Sequence, residues 1–423
     1  MKILLVGSGG REHALAWKIK ASRLCDRLYI APGNPGMEAL GELVPIAAGA
    51  ITELAHFAAT QKIDFAVIGP EDPLALGLVD ALAERKIRAF GPTRSGAQLE
   101  ADKTFAKKLM REARIPTAEG RCFSAVRDAL AYVESRTEPL VVKAAGLARG
   151  KGVVVCRDPV AALDAVRNIM EKKVFGPAGA AVVIEERLEG PEVSLLALVD
   201  GQTAYLLEAA RDHKRIGEHD TGPNTGGMGA YSCPDLLAED LLKRAESEII
   251  VPLLDALRRQ EIDYRGVLYA GLMLTAGGPK ALEFNCRLGD PETQPLLMRL
   301  QSDLVEAMLA CSEGKLDRIT LQWRPEAAVC VVLASEGYGW KADPEVTRGV
   351  PIDGLEAAAA LPDVQIFHGG TTRREGRIVT SGGRVFGVCA VGADVAAARR
   401  RAYAAVDQIH FAGMQFRRDI AQI

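Results

Sequence analysis

No apolar stretch in the chain approaches the length of a membrane span, and no two cysteines stand in Cys-x-x-Cys spacing. The first absence argues against a membrane protein. The second concerns eight scattered cysteines (Cys25, Cys122, Cys156, Cys233, Cys286, Cys311, Cys330 and Cys389) with no histidine paired to them. That pattern speaks against zinc or a disulfide framework and for reduced thiols in a cytoplasmic protein. There is no basic excess either. The 52 Lys and Arg face 55 Asp and Glu, for a net charge of -3, so nucleic acid is not an expected partner. The apolar run in the N-terminal MKILLVGSGG is too short for a secretory leader and has no cleavage site; it reads as a strand entering a glycine turn. No internal repeat and no low-complexity linker is found. What remains is a 423-residue chain, 48% hydrophobic and 25% charged, with the composition of a soluble enzyme. Its length suggests about three domains. Its 42 glycines fall in clusters, and these mark the places of interest.

Residues 1 to about 100 alternate strand and helix signals. Strands are expected at Lys2–Val6, Arg27–Ile30, Phe65–Ile68 and Ile87–Phe90, and helices at Arg11–Ala21, Ile51–Gln61 and Leu74–Ala83. Such alternation predicts an open parallel sheet. Ligands of such a sheet sit beyond the carboxyl ends of its strands. The turns GSGG (7–10), APGNPG (31–36), GPEDP (69–73) and GPT (91–93) all fall there. The first is not a dinucleotide fingerprint, because Glu12 occupies the position that needs Gly or Ala. It reads either as a phosphate-binding helix start or as a plain tight turn.

Residues 94–118 are expected to form a basic helix with Lys103, Lys107, Lys108 and Arg111, by default a solvated face. Strands at Leu140–Lys143 and Val153–Cys156 flank GLARGKG (146–152), a glycine hairpin whose backbone can close over phosphates beside Arg149 and Lys151. It lacks the Gly-Lys-Ser/Thr ending of a P-loop. A helix at Pro159–Lys172 and strands at Ala181–Glu186, Val193–Val199 and Thr203–Leu207 follow. Residues 208–232 read as a long polar loop, and such a loop inside a compact domain is functional or disordered. Within it Thr221–Gly229 offers four glycines, two threonines and an asparagine. His213 and Lys214 read as catalytic or as structural hydrogen-bonding groups. Single helices are expected at Glu239–Arg259 and Pro295–Cys311, and strands at Gly266–Thr275 and Pro279–Phe284. Past Pro325, strands at Ala328–Leu333, Gln365–His368 and Val385–Val391 and a helix at 394–407 outline an α+β region that should pack on the first.

The segment ALEFNCRLGDPETQ (281–294) carries the densest chemistry. Alternation along a strand puts Glu283 and Asn285 on one face and Phe284 on the other. A carboxylate beside an amide oxygen suits Mg²⁺, which takes few protein oxygens and completes its shell from phosphate and water. Arg287 adds an anion clamp, and Asp290 a carboxylate in a turn. The plainer alternative is a strand ending in a polar loop.

Taken in order, GSGGREHA (7–14), APGNPG (31–36), GPEDPLALGLVD (69–80), GLARGKGV (146–153), DHKR (212–215), DTGPNTGGMGAYS (220–232) and EFNCRLGDPE (283–292) closely resemble the glycinamide ribonucleotide synthetase family of the ATP-grasp superfamily. The resemblance covers essentially the whole chain. Two departures are Arg149, where the family more often has a small residue, and Leu288 in place of a common Phe.

The resemblance implies an α/β fold, α+β in part, with three regions. These are a Rossmann-like substrate domain over 1–102, an ATP-grasp domain over 103–322 with a mobile lid at about 118–190, and a small α+β domain over 323–423. It implies a purine-biosynthesis ligase that joins 5-phosphoribosylamine to glycine with cleavage of ATP, through glycyl phosphate. The alternative is another ATP-grasp carboxylase or transformylase. Lys103, Lys143, Gly150, Lys151, Gly152, Glu185, Glu186, Leu188 and Glu192 are then expected around ATP, and Glu283 and Asn285 around Mg²⁺ or Mn²⁺. Arg287, Asp290, Lys214 and Asp212 are expected to be catalytic, Arg287 and Asp290 holding the charged ends of glycine. Gly9, Gly10, Gly33, Asn34, Pro35 and Gly36 are assigned to the ribose 5-phosphate. Glu71, Asp220, Thr221, Asn224, Thr225, Gly226, Gly227 and Met228 complete the expected substrate surface. A monomer or weak homodimer acting on small molecules in the cytoplasm is expected.

Overall fold

The computed structural model describes residues 1–148, 151–340 and 345–422. Its first sheet is parallel throughout, in the strand order Glu42–Leu43, Arg27–Pro32, Lys2–Gly7, Phe65–Ile68, Arg88–Phe90. The strand Lys2–Gly7 is buried from Ile3 onward and Phe65–Ile68 along its whole length, as apolar runs covered on both faces require. The expected parallel sheet is therefore present, but two of its helices are shorter than the pattern suggests. Leu74–Ala83 divides into Glu71–Ala75 and Leu78–Ala83, because Gly77 turns left-handed at φ 86°. The basic helix divides at Asp102, whose carboxylate caps Lys103–Glu112 through the amides of Thr104 and Phe105.

The central region has two antiparallel sheets. One runs Ala204–Leu206, Glu192–Asp200, Arg265–Thr275, Gly278–Asn285, and the other Gly120–Phe123, Val182–Glu186, Leu140–Ala144, Val153–Val155. The second is covered by the helices Val126–Glu134 and Pro159–Val166, which share its core. The strand Gly120–Phe123 and the helix Val126–Glu134 had no clear sequence signal. The expected helix Pro295–Cys311 is two helices, Thr293–Arg299 and Leu304–Glu313, the second capped by Asp303.

The polar segment 208–232 is not a loop. It forms four short strands, and two of them, Arg211–Asp212 and Gly229–Ser232, extend the C-terminal sheet beside Ala327–Ala334, Arg384–Gly392 and Val364–His368. The other two, Arg215–Gly217 and Thr221–Asn224, pair as a hairpin. The C-terminal region packs on the first, as expected. Phe367 lies 5.6 Å edge-on to His13 and 5.9 Å from Trp17, both on the helix Gly10–Lys20.

Three histidines, His13 buried and His213 and His368 half-buried, serve as structural groups. The His13 Nδ1 accepts from the His368 amide at 2.8 Å, and the His213 Nε2 accepts from the Ala421 amide at 3.1 Å. An imidazole that accepts at a ring nitrogen is neutral there. Burial pulls His13 down to about 3, and His213 and His368 down to about 4, from the ordinary 6.5. The folded values lie below the unfolded one, so the unfolded chain binds protons first as pH falls. Stability is therefore whole above pH 6.5 and is lost progressively between that value and about pH 4 to 3. Each histidine contributes a slope of at most about 1.4 kcal/mol per pH unit. Denaturant midpoints taken from pH 7 to 5 should fall, and His13→Gln should flatten the slope by one proton; an unchanged slope would contradict a buried neutral His13.

Candidate active site

The strand Gly278–Asn285 lies against Arg265–Thr275, with a bulge where Gly271 faces Glu283 and Leu272 faces Ala281. Beyond the bulge the side chains alternate as expected. Phe284 is 3% exposed in the core, while Glu283 and Asn285 line a cavity of about 750 Å³. The same cavity is reached by Arg11 and Glu71 from the first sheet, Glu185 to Glu192 from the lid side, Asn224 to Gly226 from the polar segment and Arg384 from the C-terminal sheet. All three regions therefore meet at the strand end that carries Glu283.

A row of lysines faces this strand. Lys214 sits 3.0 Å from Glu192 and 3.8 Å from Glu283. Lys143 donates to the Leu282 carbonyl at 2.9 Å and pairs with Glu185 at 2.5 Å. Lys103 lies beside them, its Nζ 3.4 Å from the Gly146 carbonyl. Burial pushes the Glu283 carboxyl up, but Lys214, Lys103 and Lys143 outweigh it and hold the group below its ordinary range. Burial likewise lowers Lys103. Lys107, read from the sequence as part of a solvated face, is buried and joins Glu185 at 2.7 Å. Both oxygens of Glu185 are thus held by lysines, and its backbone lies in the ladder between Gly120 and Val141. Glu186 accepts from the Glu119 amide at 3.0 Å and from Lys280 at 3.3 Å.

The donor set fits a hard divalent cation. Glu283 and Asn285 present two oxygens on one face, as Mg²⁺ or Mn²⁺ with a phosphate ligand needs. The partly exposed Glu283 is held in its ionised range by the surrounding lysines, and its ion pair with Lys214 is long at 3.8 Å. Among the described residues no set of three or more His, Cys, Asp or Glu forms an all-protein metal cage.

Arg287 and Asp290 reach the cavity but present no free charge. Arg287 is held by Glu71 at 3.2 Å and Glu100 at 2.8 Å. The Asp290 Oδ1 accepts from Gln294 at 2.7 Å and its Oδ2 from Arg384 at 3.0 Å. The sequence reading made them a clamp for the charged ends of glycine; here each is already paired within the protein. They fix the wall, with Arg384 also donating to the carbonyls of Gly226 and Asp290.

The glycine turns are partly satisfied from within. The Gly9 amide donates to Glu12 at 2.7 Å, and a side chain at Gly10 would meet the Gln294 amide at 2.8 Å. Asn34 donates to the carbonyls of Ser8 and His368, both at 2.8 Å, and accepts from the Gly36 amide. It ties the turn holding Gly33, Pro35 and Gly36 to its neighbours, so its side chain is not available to a ligand. Gly36 is pressed between His13 and His368.

In the polar segment, Thr225 donates to the Lys214 carbonyl at 2.9 Å and accepts from the Gly227 amide at 3.0 Å. Asp220 lines the cavity and pairs with Arg417 at 2.8 Å. Two expected residues lie elsewhere. Thr221 sits exposed on its hairpin and bonds the Glu218 carbonyl, and Met228 is fully buried in the C-terminal core. In the glycine hairpin, Gly152 packs against Ala148 and Ala144. Gly150, with Arg149, lies outside the described residues.

Sequence reading missed Arg11, Glu100, Tyr269, Glu292 and Arg384. Arg11 stands within GSGGREHA and donates to the Leu288 carbonyl at 3.0 Å. Glu292 accepts from Ser194 and Tyr269 at 3.0 and 2.9 Å. Both lay inside motifs already singled out, and their position was the available signal. Arg384 is a lone arginine at the start of an apolar strand and has no such signal.

Three family models match the chain in succession: the N domain of phosphoribosylglycinamide synthetase over residues 1–100, its ATP-grasp (A) domain over 101–293 and its C domain over 328–423. A phosphoribosylamine–glycine ligase of Rhodopirellula baltica is 50% identical, over 99% of this chain and 97% of the relative. One of Brucella melitensis is 46% identical over the same shares. The crystal structure of the Thermotoga maritima phosphoribosylamine–glycine ligase superposes with a TM-score of 0.85 at 32% identity, covering 99% of this chain and 100% of that one. The biotin carboxylase domain of the Hydrogenobacter thermophilus 2-oxoglutarate carboxylase shares the fold, with a TM-score of 0.73 at 16% identity over 98% and 91% of the two chains.

Glu185 is the group on which the lysine row depends. Removing its charge leaves Lys107 and Lys143 buried together without a counter-ion. Glu185→Gln should cost about 3–5 kcal/mol of stability, read as a drop in denaturant midpoint. A loss below about 1 kcal/mol, the range of exposed pairs, would show that these ion pairs are not buried as described.

Proposed function

The chain belongs to the phosphoribosylglycinamide synthetase family, and we propose that its inter-domain cavity is where the family's reaction takes place. It is an ADP-forming carbon–nitrogen ligase of purine biosynthesis that joins 5-phosphoribosylamine to glycine with cleavage of ATP. The observation that carries the assignment of the cavity is the meeting of Glu283, Asn285, Lys143 and Lys214 with residues of the first and last regions around one space.

In this reading ATP lies between the lid sheet and the central sheet. Backbone groups from Glu185 to Leu188 meet the adenine edge, Glu192 the ribose hydroxyls, and Lys103, Lys143 and the 146–153 hairpin with Lys151 the phosphates. Glu283 and Asn285 would hold Mg²⁺ or Mn²⁺, which when bound would supply charge neutralisation at the phosphates. The glycine carboxylate attacks the γ-phosphate, ADP leaves, and glycyl phosphate forms. Lysines fixed before reaction spread the charge of the transferring group, so positioning and electrostatics carry the step. The amine of phosphoribosylamine then attacks the acyl carbon and phosphate departs. No side-chain nucleophile is needed. Arg287 and Asp290 act by fixing the wall around glycine. The corner made by Gly9, Gly10 and the 33–36 turn takes the ribose 5-phosphate, with Glu71, Asp220 and the 224–227 turn closing the site.

Among the described residues no helix is long and apolar enough to cross a membrane. The proposed setting is the cytoplasm, with small-molecule substrates only and a monomer or weak homodimer.

The direct test is ADP release with glycine and freshly generated phosphoribosylamine. ADP should be released in turnover only when glycine and an amine acceptor are both present; turnover with either alone, or none at all, would refute the assignment. Glu283→Ala should abolish turnover while leaving the thermal transition near that of the wild type, and near-normal rates in that variant would remove its metal role.

A further inference from the structure

Among the described residues, one half-buried carboxyl group in the cavity has no hydrogen-bond partner. Asp212 ends the short strand Arg211–Asp212, opposite Ala230, and lines the cavity. Its Oδ1 is buried without a hydrogen bond. Among the described residues no group donates to its other oxygen either. A buried acceptor left unpaired carries a penalty of about 1–3 kcal/mol, and such a group in a folded protein calls for an explanation. The packing holds it in place. A side chain at Gly227, where φ is +108°, would come within 2.6 Å of that Oδ1, so the turn approaches as bare backbone.

Apart from the exposed Glu189, the other acids on the cavity wall are committed. Glu71 is held by Arg287, Asp290 by Gln294 and Arg384, and Asp220 by Arg417. Glu192 and Glu283 share Lys214, and the Glu292 Oε1 accepts two hydroxyls. Asp212 also stands at the place the chemistry needs. Two residues on, Lys214 reaches the phosphoryl edge at Glu283, and on the other side Gly227 and Pro291 lead to Asp290 and the Gly9–Gly10 corner. The carboxyl lies between the phosphoryl edge and the sugar-phosphate corner, where acyl phosphate and amine would meet.

Amide formation must release a proton there. As the nitrogen lone pair closes on the acyl carbon, the bond from that carbon to the phosphate oxygen breaks, phosphate leaves with the electron pair, and the nitrogen sheds one proton. We propose that Asp212 is the general base that accepts this proton from the attacking amine. The proposal rests on the ligase reading given above. Its surroundings suit the task. Burial and the facing Glu292 and Glu192 raise the carboxyl well above its ordinary range, against the pull of Lys214 and Arg384. A base is most effective when its affinity for the proton approaches the working pH.

The test separates the two chemical steps. Hydroxylamine, a less basic nucleophile than an alkyl amine, traps glycyl phosphate as glycyl hydroxamate with little need of a base. In Asp212→Asn, hydroxamate formation from ATP and glycine should stay within a few-fold of wild type. Amide formation with phosphoribosylamine should fall by about 10²-fold or more. Equal loss of both, or retention of both, would overturn the assignment of the base. A wild-type enzyme that forms neither product would overturn the ligase reading beneath it. Should the asparagine variant not fold, Glu292→Gln keeps acceptors for Ser194 and Tyr269 while removing the facing charge. The acid limb of its kcat profile should move to lower pH; an unmoved limb would overturn the proposal.

Discussion

Lys214 stands between two carboxylates of one sheet, Glu192 and Glu283, and much of the cavity is arranged around that cation. Without it, two acids and an amide would face one another across a half-buried space and repel. With it, Glu283 stays ionised, and the backbone of the polar segment is pinned. The Lys214 carbonyl takes both the amide and the hydroxyl of Thr225, so charge and loop geometry are fixed by one residue. Preorganised charge of this kind needs no rearrangement at the moment of phosphoryl transfer.

The same economy appears behind the lid. Glu185 binds Lys107 of the helix Lys103–Glu112 and Lys143 of the lid sheet, so one carboxylate orients two cations from separate elements. On the opposite wall Arg384 crosses from the C-terminal sheet to bind Gly226 and Asp290. The cavity is therefore shaped by ion pairs that close before any substrate arrives, and its walls come from three parts of the chain.

Much of this was legible in the sequence. The parallel sheet followed from apolar runs such as KILLVG ending in glycine turns, and the Glu283–Asn285 pair followed from strand alternation. The bulge at Leu272 lies before Glu283 and left that alternation intact. The partners of Arg287 were not legible, because Glu71 and Glu100 lie 216 and 187 residues away. No local pattern records which carboxylates will meet a guanidinium across three elements. The strands of residues 211–232 were hidden for a different reason. They are two to four residues long, so propensity is silent and pairing decides their state: Gly229–Ser232 between Arg211–Asp212 and Ala327–Ala334, and the other two strands with each other. Lys107 misled because a lysine on an amphipathic helix is usually solvated, and its burial is made tolerable by Glu185 together with the Thr117 hydroxyl and the Ala118 carbonyl.

The strand Gly229–Ser232 is bonded on one side to Arg211–Asp212 and on the other to Ala327–Ala334. The linear order of the chain therefore suggests a modularity that the backbone does not have. A cut near residue 322 looks like a boundary, yet it would strip Gly229–Ser232 of its inner neighbour and leave an open ladder of amides and carbonyls next to the cavity wall. Open edges of that sort invite pairing between molecules. The final quarter of the protein is thus no detachable appendage. Recombining this region among relatives would have to carry residues 211–232 along with it, because sheet and cavity share that single piece of chain.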